Sequence, residues 1–214
     1  MTSPSGGEAG RRRPIAVPVA ALVIATGLGV TAALGGFAEA SEEPPTQLGP
    51  GSSLDQGEFT TKFVEARSLF QRDTFGAGKR FLEIELEVTN KSDESTGVGA
   101  PPNGKTPGFM FAQSLLKMDP EIKGDAGPTL SVPGEGMPSR QLHPGMTSTV
   151  VVRYELPAGD RPPKKIKLDV GVFEEPETFN IDLGWVLARD GDADDAPPKV
   201  EAQVTLPVNQ GGTL

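Results

Sequence analysis

The stretch that decides the fold class is RFLEIELEVTN, residues 80–90, in which Leu82, Ile84, Leu86 and Val88 alternate with Glu83, Glu85 and Glu87. A period of two places the aliphatic side chains on one face of a strand and the carboxylates on the other. A 3.6-residue period would scatter the glutamates around a helix. Asn90-Lys91-Ser92-Asp93 follows, with side chains that favour turns. The alternation recurs downstream. In TSTVVVRYEL (147–156), Val150, Val152, Tyr154 and Leu156 share a face; in 165–173, Ile166, Leu168, Val170 and Val172 do; in 200–206, Val200, Ala202, Val204 and Leu206 do. FTTKFVEARSLF (59–70) is a looser first strand after Gly57, and shorter runs lie at 129–132 and 179–188. FMFAQSLLKM (109–118) is apolar without a clear period and reads as either a strand or a short buried helix.

His143-Pro144-Gly145 and Pro157-Ala158-Gly159-Asp160 are turn sequences, and the second predicts a hairpin between runs 147–156 and 165–173. Seven or eight short strands, separated by many of the 27 glycines and 21 prolines and without amphipathic helices between them, predict an all-β fold: a two-sheet antiparallel β-sandwich over residues 57–208. Residues 209–214 read as a disordered tail.

Upstream, residues 14–38 (PIAVPVAALVIATGLGVTAALGGFA) carry no charge, a length sufficient at about 1.5 Å per residue to cross a hydrocarbon core of about 30 Å. Arg11, Arg12 and Arg13 precede them, whereas Glu39, Glu42 and Glu43 follow. This asymmetry predicts a single-pass signal anchor with residues 1–13 in the cytoplasm and the C-terminal domain outside the cell membrane. A cleavable signal peptide, ending near Ala38-Glu39-Ala40, is the competing reading; the apolar run exceeds the usual 7 to 15 residues. Residues 39–56, rich in Glu, Pro, Ser and Gly, read as a flexible linker.

After residue 38 the chain has 17 basic and 28 acidic side chains, a charge of −11. An acidic domain repels phosphate backbones, so nucleic acid is not an expected partner. Without cysteine there is no disulfide, thiolate metal site or lipidated cysteine.

Candidate sites are few. Asp190-Gly191-Asp192-Ala193-Asp194-Asp195, with Glu201 at the twelfth position, suggests a calcium loop, but Asp195 stands where the sharp turn takes Gly and Pro197-Pro198 stiffen the middle; a solvated acidic loop fits better. His143 is the only histidine and sits in a turn, where a structural role is expected. Glu83, Glu85 and Glu87 share one strand face, a solvated surface rather than the two sides of a hydrolytic cleft. Tyr154 reads as a core residue, and Trp185, the single tryptophan, as core or contact surface. Arg161-Pro162-Pro163-Lys164-Lys165 reads as a basic hairpin tip able to meet anionic lipid headgroups or wall polymers. No catalytic, cofactor-binding or metal residue is assigned.

The segments LGPGSSLDQGEFTTKFVEAR, RFLEIELEVTNKSDE and LHPGMTSTVVVRYELP resemble the framework of actinobacterial immunoglobulin-like extracellular domains of unknown function, a group similar to secreted immunoprotective antigens. The resemblance spans roughly residues 48–172. It implies an immunoglobulin-like sandwich, anchored or secreted, and supplies no activity to transfer. The architecture of tether plus sandwich, with no convergent reactive groups, leads to the expectation of a non-enzymatic binding or accessory module at the cell envelope, its partner an envelope protein or wall polymer. The alternatives are a calcium-dependent adhesion module and a carboxylate-based extracellular hydrolase.

Overall fold

A computed structural model describes residues 44–72, 78–103, 106–123, 127–134, 136–175, 184–191, 193 and 195–213. Residues 14–38, read above as the membrane anchor, lie outside these, as does the first half of the run 179–188. Among the described residues no helix is long and apolar enough to cross a membrane.

The described unit is all-β. Its strands are β1 (Thr46–Leu48), β2 (Ser53–Asp55), β3 (Phe59–Arg72), β4 (Gly78–Asn90), β5 (Thr96–Gly97), β6 (Leu115–Asp119), β7 (Thr129–Ser131), β8 (Gln141–Leu142), β9 (Thr147–Glu155), β10 (Lys165–Val170), β11 (Phe173–Glu174), β12 (Val186–Leu187) and β13 (Ala202–Thr213). A 3-10 turn, Phe111–Ser114, precedes β6, so the run 109–118 holds both elements between which its composition did not choose.

The main hydrogen-bonded path runs β6-β10-β13-β3-β4-β9-β7. Strand β13 joins two groups of strands. Its first half pairs with β10 and, in parallel, with β1; its second half pairs in parallel with β3. The change of partner falls at Pro207, whose register partner is Lys165, before Val208 takes up Ala66. Proline has no N–H for a ladder, so a break in pairing costs least there. Phe63, Leu82, Ile84 and Val152 from one group join Ile166, Leu168, Val204 and Leu206 from the other in a single buried cluster. This arrangement is consistent with a sandwich.

Strand β4 buries Leu82, Ile84, Leu86 and Val88 as its alternation requires. The looser alternation of β3 has a local cause. The register with β4 shifts between Phe63 and Glu65, so Phe59, Thr61 and Phe63 point inward before the shift and Ala66 and Ser68 after it.

Three expectations are corrected. Runs 147–156 and 165–173 do not form a hairpin: β9 pairs with β4 and β7, while β10 pairs with β13 and β6. The connection contains Pro157, Pro162 and Pro163 and is longer than a tight hairpin turn, which suits a crossing between strand groups. The linker assigned to 39–56 contains β1 and β2. Gly49-Pro50-Gly51-Ser52 is a turn closed by Ser52 N–H donating to the Gly49 carbonyl at 3.2 Å, with Gly51 at φ 79°; Leu48 and Leu54 on its flanks pack against the core. The tail assigned to 209–214 extends β13 to Thr213. A Cβ on Gly211 would collide with Leu69, so this glycine allows close backbone approach.

Two buried polar side chains hold strand ends in place. Gln56 is fully buried: its side-chain amide donates to the Gly171 carbonyl at 2.7 Å and accepts from the Thr61 hydroxyl at 2.5 Å, while its backbone carbonyl accepts from Phe173 N–H at 2.8 Å. Asn90, also fully buried, donates to the Glu94 and Leu142 carbonyls and accepts from the Ser92 N–H and hydroxyl. It thereby ties the end of β4 to the His143–Met146 turn, whose Gly145 N–H donates to the Asn90 carbonyl.

Candidate functional site: an open groove beside Trp185

At the end of the fold where β4 finishes and β9 begins, two irregular segments approach each other. The first, residues 98–113, is ordered by short-range bonds. Ala100 and Phe109 exchange backbone hydrogen bonds at 3.0 and 3.3 Å, Thr106 N–H donates to the Asn103 side chain at 2.9 Å, and Ala112 N–H donates to the Val98 carbonyl at 3.0 Å. The second is the ladder of β11 and β12, continued by Ala188 N–H donating to the Val172 carbonyl and by the Arg189–Pro198 bridge.

Between them lies a groove of about 790 Å³. Pro102, Pro107, Gly108 and Gln113 form one wall; Glu174, Trp185, Val186, Leu187, Arg189 and Pro198 form the other. The indole of Trp185 packs against the core from this position, and Gly57 passes beneath it at φ 79°, where a Cβ would meet the indole and collide with the Phe173 carbonyl. An apolar floor with a few convergent polar groups is the usual make-up of a small-ligand site. Gln113 can donate and accept, Glu174 accepts and Arg189 donates. Among the described residues the lining has one carboxylate, Glu174.

Next to Gly108 the chain exposes two large apolar side chains, Phe109 at 52% and Met110 at 48%. Met110 has φ 55° and ψ −151°, a region suited to glycine that costs another residue about 1 to 3 kcal/mol. Gly99 accommodates this conformation, because a Cβ there would collide with the Phe109 carbonyl. Backbone outliers of this kind cluster at active sites and ligand clamps.

Half-buried Glu58 follows Gly57, and desolvation raises its pKa from 4.5 to about 7. The folded state therefore keeps a proton that the unfolded state releases, and stability falls as pH rises from about 4.5 through about 7. Glu58→Gln is expected to flatten that slope and raise the melting temperature at pH 8 but not at pH 4, as thermal melts across pH would show.

The other sequence candidates take different positions. Tyr154 is partly buried and packs against the core, and desolvation pushes its phenol up to about 12. His143 is exposed in its turn, with Nδ1 2.9 Å from the Ser95 hydroxyl. Asp190 N–H donates to the Pro197 carbonyl, closing the acidic loop, and Glu201 pairs with Lys199 at 2.9 Å; Asp192 and Asp194 lie outside the described residues. Among the described residues no three His, Asp or Glu converge on a metal position.

The glutamate face of β4 is not uniformly solvated. Glu83 is only 3% exposed, because register sets it between Arg67 on β3 and Arg153 on β9. Its two oxygens accept from Arg67 Nε at 3.1 Å and Arg153 Nε at 2.6 Å. The Arg153 guanidinium in turn lies 5.1 Å from the centroid of the Phe81 ring. A period-two pattern identifies the face but not the cross-strand partners that enclose one of its members.

Fold and site together define an all-β domain with a tryptophan-lined groove between two irregular segments. No known protein family, curated protein or solved structure matches the chain.

Proposed function

We propose that this chain is a non-enzymatic binding module of immunoglobulin-like sandwich type, tethered by residues 14–38 to the outer face of the cell membrane, and that the groove beside Trp185 recognises an envelope component. The observation carrying this reading is the convergence of the only tryptophan, three prolines and the polar groups of Gln113, Glu174 and Arg189 in one open groove flanked by exposed Phe109 and strained Met110. The tether rests on the uncharged run 14–38 and the arginines before it. The resemblance to actinobacterial immunoglobulin-like domains supports the same architecture.

Every lysine, from Lys62 to Lys199, follows the apolar run. A membrane-impermeant amine reagent applied to intact cells is therefore expected to label the chain as fully as it does after permeabilisation. Labelling only after permeabilisation would place the domain inside and end the reading.

A further inference from the structure

Methionine is among the residue types most often buried, yet of the methionines among the described residues only Met118 is; Met110, Met137 and Met146 are 48%, 90% and 57% exposed. Two of these exposed thioethers, those of Met110 and Met146, flank the chain's single histidine, His143. Strands β5 and β8 pair with Thr96 opposite Leu142 and Gly97 opposite Gln141. Leu142 is buried, so its face of this ladder is turned inward, and the period of two puts Gly97 and Gln141 on the outward face. One step further along, Ser95 and His143 meet on that outward face, the Ser95 hydroxyl lying 2.9 Å from His143 Nδ1.

Met110 reaches the same face from the neighbouring segment. Its sulfur lies against Gly97, where a Cβ would collide with it, so the glycine is what admits the thioether. Met146 arrives from the other side. Its N–H donates to the His143 carbonyl at 3.2 Å, with Gly145 at φ 67°. His143 and Met146 are thus the first and fourth residues of a β-turn, within about 7 Å of each other at Cα. Met110, His143 and Met146 are all exposed, so rotation about their side-chain bonds brings the donors onto one ion without disturbing the core.

We propose that Met110, His143 and Met146 form a binding site for copper(I), apart from the lining of the Trp185 groove. Two thioethers and an imidazole are soft donors of the kind that select copper(I), whereas calcium and magnesium take oxygen ligands. Among the described residues no three His, Asp or Glu stand together, so harder ions have no comparable set. The Ser95 contact supplies what a metal-binding imidazole needs at its second nitrogen: with Nδ1–H donating to the Ser95 hydroxyl, Nε2 presents its lone pair to the ion. The nearest cation in sequence, Arg140, is drawn away by the Gly99 carbonyl, to which its guanidinium donates at 3.3 Å.

The test is anaerobic titration of the full chain, in neutral detergent, with copper(I) against a competing chromogenic chelator. Uptake of one copper(I) per chain is expected, and X-ray absorption of the loaded chain should show both sulfur and nitrogen neighbours. Met110→Leu and Met146→Leu, which keep side-chain volume, and His143→Gln should each lower the affinity by at least about tenfold. Ser95→Ala removes no donor yet should weaken binding by about tenfold, through the tautomer of His143. Gly97→Ala should weaken it as well, by displacing the Met110 sulfur. Met137→Leu, which removes the most exposed thioether, should change the affinity by less than about twofold. No uptake against the chelator, zinc(II) held as tightly as copper(I), or a loss with Met137→Leu equal to that with Met110→Leu would overturn the proposal.

Discussion

Phe59→Ala is expected to lower the unfolding free energy by about 3 to 5 kcal/mol, the range for removing a fully buried phenyl ring from a packed core. Phe59 begins β3, is completely buried, and meets two other rings edge to face: Phe111 of the 3-10 turn at 5.2 Å and Phe173 of β11 at 5.3 Å. Each such pair adds about 0.5 to 1.5 kcal/mol beyond area burial. Phe111 closes the segment that forms one groove wall, and Phe173 begins the ladder that forms the other. One ring therefore fixes both walls to the first long strand. Since domains of this size are stable by only about 5 to 15 kcal/mol, the loss is a large share of the total. Denaturant melts monitored by circular dichroism measure it. A loss below about 1 kcal/mol would mean that the three rings do not form a common core.

Gln56→Leu, similar in volume but without the amide, is expected to cost about 2 to 4 kcal/mol, because it leaves the Gly171 carbonyl and the Thr61 hydroxyl, both inside the fold, without the partner each has now. Each orphaned group costs about 1 to 3 kcal/mol. Thr61→Val in the Gln56→Leu background should recover part of the loss by removing one orphan, a coupling that a double-mutant cycle reads directly. Additive effects would show that the two side chains do not bond.

Period-two alternation made the strands legible because burial on one face leaves a direct trace in residue order, as β4, β9, β10 and β13 show. Pairing left none. Nothing in 147–156 or 165–173 states which strand lies alongside, and adjacency in sequence suggested a hairpin where the chain instead crosses to another strand group at a proline-rich connection. Composition misled at both ends of the domain. Gly49-Pro50-Gly51 reads as spacer but is a tight turn between two three-residue strands, and Gly211 reads as tail but lies against Leu69. Buried polar side chains were hidden for a similar reason: Gln56 and Glu83 are polar by type and enclosed by groups distant in sequence. The groove was the least legible feature, since its lining comes from four separated stretches around positions 102–113, 174, 185–189 and 198. Trp185, as the only tryptophan, was the one signal that pointed to it.

That uniqueness also makes the proposed recognition site directly observable, because all indole fluorescence arises from the groove. The decisive measurement is the emission of the full chain titrated with solubilised fractions of the envelope of its own cells, together with acrylamide quenching of Trp185. The groove reading predicts a saturable change in emission and reduced quenching with one fraction, both lost when Glu174→Ala and Arg189→Ala are combined. Saturable binding that leaves Trp185 emission and quenching unchanged would place recognition elsewhere on the domain and contradict the central claim.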